Sequence, residues 1–355
     1  MSSVDAVPAS VLARYADFAG ASSRRFGSGL INRTFLVERD GRQAIAQQLH
    51  RIFGPSVNDD LDAVTAHLAR KGLTTPRLIR ADDGGACVIE RPDGDDDPAL
   101  RAVWRLLTKV PGASVDKLAT PTQANAAGAL VAQFHAAVED LQHDYKHVRE
   151  GVHDTKRHLV KLARMMAKHR AHRLGREAGA LGKEILDAGA RLPDLLSLPK
   201  RHCHGDLKIS NLLFDDDGKG VCLVDLDTLQ KLQWPLEMGD ALRSWCNPSG
   251  EDVTDAAIDV DLFRAAVEGY FGSKRRPFLV PEESDALVDG LFTICVELAA
   301  RFCADALDES YFGWDDKKYA TRGDHNLVRA RGQWSLARSV RARRDELVQI
   351  VRRVA

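Results

Sequence analysis

The stretch His202-Cys-His204-Gly-Asp206-Leu-Lys208-Ile-Ser-Asn211-Leu-Leu-Phe-Asp215 decides how the rest of the chain is read. A turn crowded with His, Asp, Lys and Asn runs into the apolar Leu212-Leu-Phe214. Asp215-Asp-Asp-Gly-Lys-Gly220 has the composition of a hairpin turn. Val221-Cys-Leu-Val224 then reads as a short buried strand ending in Asp225-Leu-Asp227. A hairpin of this kind delivers polar groups to one end, with Asp206 and Asn211 before its first strand and Asp225 and Asp227 after its second. Any one of these residues alone is an ordinary turn cap or surface charge. The combination is much harder to explain as surface decoration.

Phosphoryl transfer needs Mg2+ held by oxygen ligands and a carboxylate that orients the attacking hydroxyl. Asn211 and Asp225 are suitable oxygen ligands, and Asp227 is either a further ligand or a group that orients Asp225. Asp206 is the candidate catalytic base, and Lys208 can offset charge on the transferring group. His202 and His204 have a spacing that Zn2+ accepts, yet no Cys/His cluster with structural-site spacing accompanies them. His204 is therefore read as a loop-holding histidine.

Outward from this segment, the N-terminal part has the pattern of a small antiparallel sheet carrying one helix. Val11 to Phe18 reads as a short leading helix, and Phe26 to Val37 as strand, glycine turn and strand. Gly41 closes a hairpin onto Gln43 to Leu49. Asp59 to Arg70 has helical spacing, with Leu61, Val64 and Leu68 on one face. Arg77 to Arg80 and Cys87 to Ile89 bracket Asp82-Asp-Gly-Gly85, a second hairpin signal. The acidic, Pro- and Gly-bearing run Arg91 to Pro98 reads as the lobe junction, giving an N-lobe over 1–92 and a C-lobe over 93–355. Pro121 to Leu141 reads as a long helix with Leu130, Phe134 and Val138 in register. Residues 155–190 read as an inserted helical pair, and helices dominate again from about 254.

Bulk composition narrows the partners. Fifty Lys and Arg balance 51 Asp and Glu, for a net charge of -1, which gives no global attraction to nucleic acid or membrane. No apolar run approaches the roughly 20 residues of a membrane span, and the N-terminus lacks an export signal. The six cysteines are scattered, without CxxC, as befits free thiols in a reducing compartment. A cytoplasmic protein, monomeric or homodimeric, is the expectation.

His204-Gly-Asp206-Leu-Lys208-Ile-Ser-Asn211 resembles the catalytic loop of the aminoglycoside phosphotransferase superfamily, which is protein-kinase-like. The similarity continues through Gly29 to Val37, Gln47 to Phe53, Val64 to Leu68, Trp104-Arg105, Phe134-His135, Val224 to Thr228 and Gly239 to Arg243. It extends over Glu297, Arg301-Phe302, Tyr311-Phe312 and His325 to Arg331. Within the superfamily it is most similar to N-acetylhexosamine 1-kinase-like sugar kinases. The resemblance implies an α+β, bilobal fold with an antiparallel-sheet N-lobe and a larger, mainly helical C-lobe. It implies ATP and Mg2+ as cofactors and a hydroxyl-bearing small molecule as acceptor. By the same resemblance Asp206 is catalytic, Asn211 and Asp225 bind the metal, and Gly27, Gly29 and Asn32 lie in the phosphate-side loop. Glu90 and Arg91 then lie in the hinge beside adenine.

The chain departs from the wider superfamily on its third strand, where a Lys is usual and this sequence has Gln47. An amide donates a hydrogen bond but carries no charge. The partner on the following helix is left open between Asp60 and Asp62, and His50 or Arg51 is a candidate substitute for the charge. For the acceptor pocket the candidates are Asp240, Arg243, Trp245, Glu297 and Arg301. Carboxylates and guanidinium groups bind sugar hydroxyls, and an aromatic packs on a ring. Equally, Asp240 with Arg243 can brace a loop, and Glu297 with Arg301 can pair along one helix face. A sugar acceptor is the first reading. Aminoglycoside, choline, homoserine or a non-catalytic nucleotide-binding role are the alternatives.

Overall fold

The computed structural model describes residues 6–27, 31–90 and 102–355, and Gly29 and Arg91 lie outside them. The chain divides into two compact units, in keeping with the bilobal α+β class that the sequence implies. The first comprises the described residues up to Pro111 together with Asp140–Val148 and Val224–Leu229. The second comprises Gly112–Glu139, Arg149–Leu223 and Gln230–Ala355.

The first unit opens with a short helix, α1 (Ala9–Leu12), and a 3-10 turn over Ala16–Phe18, where the sequence suggested one continuous helix. Its sheet contains β1 (Ser22–Arg25), β2 (Arg33–Arg39), β3 (Arg42–Gln48), β4 (Leu78–Ile79), β5 (Val88–Glu90) and β6 (Ala102–Thr108). Helix α2 (Val57–Arg70) follows β3 and buries Leu61, Val64 and Leu68, the face read from its spacing. All described pairings in the sheet are antiparallel, and β6 lies between β3 and β4, with β5 also pairing to β6. The expected hairpin of β4 with β5 is thus replaced by two short strands that each pair with the long β6. A seven-residue strand has enough backbone groups along one edge to satisfy both. Phe35 and Trp104, fully buried with ring centroids 5.8 Å apart, anchor the core beneath the sheet. Because β6 is hydrogen-bonded into this sheet, the first unit runs on to Pro111, beyond the boundary at 92 that the acidic run suggested.

In the second unit, β7 (Ala113–Ser114) pairs with the hairpin of β9 (Leu212–Phe214) and β10 (Gly220–Leu223), and β8 (Lys200–Cys203) pairs with β11 (Gln230–Gln233). The rest is helical: α3 (Pro121–Val138), α4 (Thr155–Lys168), α5 (Gly175–Gly189), α6 (Trp234–Trp245), α7 (Val260–Gly272), α8 (Pro281–Asp285), α9 (Leu287–Asp308), α10 (Arg322–Ala342) and α11 (Arg344–Val354). Thr120 caps α3 by accepting from the Gln123 amide at 3.2 Å, with Pro121 in the first turn, where its missing N–H costs nothing. Helix α9 is buried along most of its 22 residues and forms the spine of this unit.

Helices α6 and α9 meet through glycine. A Cβ added at Gly290 would lie 2.0 Å from the Pro235 carbonyl oxygen, and one at Gly239 would lie 2.6 Å from the Gly290 carbonyl carbon. Only hydrogen at both positions lets the two backbones touch. That contact fixes the helices carrying Asp240 and Arg243 on one side and Glu297 and Arg301 on the other. Among the described residues, no helix is long and apolar enough to cross a membrane.

Candidate functional site

The loop from His204 to Asn211 links β8 to β9. Glu237, in the first turn of α6 and 1% exposed, accepts from the backbone amides of His204 (2.7 Å) and Gly205 (3.0 Å). Gly205 sits at φ 81°, where a side chain is disfavoured. Burial raises the Glu237 carboxyl, but His135 at 3.6 Å and His204 together hold it below the usual range. His135 continues inward to Tyr270 (2.8 Å), whose hydroxyl accepts from the Trp234 indole at 2.7 Å. His135, Cys203 and Glu237 bring ligand-type atoms within 4.8 Å of one another. This is a dry set whose thiol is kept protonated by burial, unlike the oxygen cage that Mg2+ prefers. On the other side of the loop, Trp245 donates to the Leu207 carbonyl at 2.8 Å and Ser244 accepts from the Ile209 amide at 3.1 Å.

Within the loop Asp206 contacts both of the other expected residues, Lys208 and Asn211. Lys208 Nζ donates to Asp206 Oδ2 at 2.8 Å, and Asn211 Nδ2 donates to the Asp206 carbonyl (2.8 Å) and to Oδ2 (3.2 Å). Burial raises the Asp206 carboxyl, but Lys208, His204 and Asn211 together hold it below the usual carboxylate range, so the group is an anion at neutral pH. The Asn211 amide N–H groups face Asp206, which leaves its oxygen as the atom able to ligate a cation.

The remaining acceptor candidates fall into two sets. Arg243, nearly buried, donates to Asp240 (3.0 Å) and Glu251 (2.6 Å). Burial disfavours its charge, but the two carboxylates raise its pKa above the ordinary arginine value. Glu297 is 0% exposed and accepts from Thr155 Oγ1 at 2.7 Å, with His153 at 3.3 Å and Arg301 at 3.7 Å. Burial alone would raise Glu297 and lower His153, but their mutual attraction reverses both shifts. Trp245 differs from its expected place. It is 1% exposed and braces the loop from behind, so its ring offers no face to a ligand.

In the first unit, Gln47 lies directly across the β3–β6 pair from Arg105. The buried Arg105 guanidinium donates through Nε and Nη2 to Gln47 Oε1 (2.9 and 2.6 Å). Through Nη1 it donates to Asp227 Oδ1 (2.6 Å) and Asn58 Oδ1 (3.3 Å). Asn32 Nδ2 donates to the other Asp227 oxygen at 2.5 Å, and Asn32 Oδ1 accepts from the His50 amide at 2.9 Å. Both Asp227 oxygens are thus engaged in protein contacts, which suits an orienting role better than metal ligation. The charge absent from β3 comes from the neighbouring strand, while His50 and Arg51 are exposed.

Neither acid left open on α2 joins this network. Asp60 accepts from the His147 and Lys146 amides and contacts His143, and Asp62 pairs with Arg80. Helix α2 contributes Asn58 instead. Asp225 takes a left-handed backbone conformation (φ 63°) ahead of the 3-10 turn Leu226–Thr228, and its carboxylate is partly exposed. Gly27 occupies a turn at φ 74° after β1. Glu90 lies on β5, opposite Ala102 of β6, and accepts from Ser10 Oγ at 2.6 Å.

The sequence reading missed Glu237, Asn58 and His153, and it listed Arg105 as part of the resemblance without giving it a role. Glu237 alone left a local signal, as an acid in the first turn of a Pro-started helix. The others act through partners remote in the chain. Each unit offers one donor of the kind a hard cation takes, an amide oxygen at Asn211 in the second and a carboxylate at Asp225 in the first.

The family model of the phosphotransferase enzyme family, APH, matches residues 22–271. A homoserine kinase from Cupriavidus pinatubonensis is 26% identical over 325 residues, covering 82% of this chain and 92% of its own. The microcompartment-associated aminopropanol kinase superposes with a TM-score of 0.63 at 18% identity, over 96% of this chain and 98% of its own. An aminoglycoside phosphotransferase from Alicyclobacillus acidocaldarius gives 0.62 at 17% identity, over 97% and 98%. The two structures share the fold, and the family match spans both the first-unit sheet and the His204–Asn211 loop, so this chain belongs to the phosphotransferase enzyme family.

Proposed function

We propose that the chain moves the γ-phosphoryl group of ATP to a hydroxyl of a small polar molecule, with Asp206 orienting that hydroxyl. The observation that carries this reading is the Asp206 carboxylate, held as an anion between Lys208 and Asn211. A carboxyl held below its ordinary pKa is a weak proton acceptor, so its main contribution is to align the hydroxyl and to take its proton late, as the new P–O bond forms. Lys208 neutralises charge at the same carboxylate. Asn211 and Asp225 would hold Mg2+, which when bound supplies charge neutralisation on the phosphates. Asp227, fixed by Arg105 and Asn32, sets the backbone that presents Asp225. Gln47 and Arg105, with the Gly27 turn and Asn32, would form the nucleotide side. The six free thiols support a reducing, cytoplasmic setting.

For the acceptor, the sequence resemblance supports a sugar such as an N-acetylhexosamine. A second reading, an amino-acid alcohol such as homoserine, is favoured by the curated relative. Cationic acceptors such as aminoglycosides or choline are disfavoured, because Glu297 and Asp240 are already paired with His153 and Arg243. The test is ADP release from Mg-ATP across N-acetylhexosamines, homoserine, choline and aminoglycosides. Asp206→Ala should lower turnover on the accepted substrate by about 10²–10⁴-fold. Turnover that survives the substitution would refute the assignment of Asp206.

A further inference from the structure

A cavity of about 600 Å³ opens within the second unit between α4 and α9. Its lining includes Arg149, Arg157, Lys161, Arg164 and Arg301, whereas the acids are Glu150 and Asp305. Asp305 is fully committed elsewhere. Its oxygens accept from the Ser310, Tyr311 and Phe312 amides and from Asn326 Nδ2, all at 2.8–3.0 Å. It shapes the wall and offers nothing to a ligand. The cations are loosely held by comparison. Among the described residues, Arg149, Arg157 and Arg164 have no carboxylate within 4.0 Å, and Arg149 reaches only the Tyr311 hydroxyl, at 3.4 Å. Lys161 has Asp308 at 3.9 Å, and Arg301 shares Glu297 at 3.7 Å with His153.

Sequence spacing produces this arrangement. Arg157, Lys161 and Arg164 stand at i, i+4 and i+7 on α4 and so form one stripe. Three like charges along one stripe repel one another, and nothing in the helix itself requires them there. Arg301 stands one turn after Glu297 on α9, so the cavity adjoins the Glu297–His153 pair already described. The Arg301 guanidinium lies over the Phe312 ring at 5.5 Å, which fixes its plane. A volume of this size suits a molecule of monosaccharide dimensions.

We propose that this cavity receives an anionic group, a phosphate or a carboxylate, carried by the acceptor, which favours homoserine or an acidic or phosphorylated sugar over a neutral N-acetylhexosamine. The inference rests on the phosphotransferase reading for the word acceptor, and on the cavity alone for the charge. Guanidinium groups bind either oxyanion in a bidentate way, so the two share one chemistry.

The test uses the full chain and the double variant Arg157→Glu/Arg164→Glu. Both positions are exposed on α4, and glutamate favours helix, so folding should be retained, with circular dichroism as the check. Binding of inorganic phosphate, glucose 6-phosphate, glucuronate and glucose is measured by calorimetry at low salt. The expected result is saturable binding of the anions, at least tenfold tighter than glucose, and lost in the variant. Preference for glucose 6-phosphate or for glucuronate identifies which oxyanion the cavity takes. Equal affinity for glucose, or anion binding unchanged in the variant, overturns the proposal. For the acceptor found by ADP release, KM should rise at least tenfold in the variant with kcat within about twofold. An unchanged KM overturns the proposal while leaving phosphoryl transfer intact. Anion binding that behaves as expected without any ADP release would instead refute the phosphotransferase reading and leave the anion site standing.

Discussion

Arg105 provides a cation that β3 does not, and it does so from the middle of a buried network. Removing one partner of a buried ion pair leaves the other charge uncompensated, which typically costs about 3–5 kcal/mol. Arg105→Gln should therefore lower stability by about that amount in urea denaturation, since Asp227 would keep only Asn32. Arg105→Lys keeps the charge but not the fork, so it cannot serve Gln47 and Asp227 together. Its expected signature is partial recovery of stability with turnover still depressed. A wild-type urea midpoint in Arg105→Gln would dismiss the network as unimportant. The contrast with Asp206 shows what a sequence can disclose. Asp206, Lys208 and Asn211 lie within one short segment and hold one another, so their spacing alone suggests their chemistry. Arg105 meets Gln47 across 58 positions through the β3–β6 register, and Asp227 across 122 through the tertiary placement of the 3-10 turn Leu226–Thr228.

Elements were legible where periodicity spoke and obscure where contact geometry did. The apolar spacing of α2 and α3 gave both helices to within a few residues, and the Asp215–Gly220 turn gave the β9–β10 hairpin. The β4–β5 error came from reading two apolar runs around a glycine turn as partners, when a third strand later in the chain claims both. Invisible too was the close approach of α6 and α9, since a helical glycine looks like a weak point until its neighbour is known. Gly290→Ala places a methyl group 2.0 Å from the Pro235 oxygen and must push the helices apart. Overpacking of this kind costs roughly 1–3 kcal/mol, and the shift should also weaken acceptor binding, because both helices carry candidate pocket residues. Gly179→Ala on α5 is the matched control, with nothing within 4 Å of the added methyl group. It should be neutral or stabilise by about 0.4–1 kcal/mol. Equal melting temperatures for the two variants would contradict this account of the α6–α9 contact.

Across the whole molecule, all six cysteines are free, and five of them are buried. Cys87 is half-buried, and its thiol is raised by burial and then by Asp59, so even it should react slowly with a thiol reagent. The native protein should show at most one titratable thiol and the unfolded protein six, without added reductant. Fewer than six after unfolding would reveal a disulfide that the fold does not contain. The scattered spacing of the cysteines was enough to anticipate this, whereas the make-up of the two units was not. The first unit is assembled from three separate stretches of chain. Asp60 is capped by Lys146 and His147 from the second stretch, and Arg105 is neutralised by Asp227 from the third. The N-terminal lobe is therefore no transplantable cassette. A recombination joint at Pro111 would carry off a buried guanidinium and a buried carboxylate while abandoning the groups that satisfy them. An exchange confined to Thr155–Gly189, the α4–α5 stretch of the second unit, cuts none of these first-unit contacts. That run contributes α4 and most of the cationic wall, so an exchange there could alter what the enzyme accepts while leaving the first unit whole.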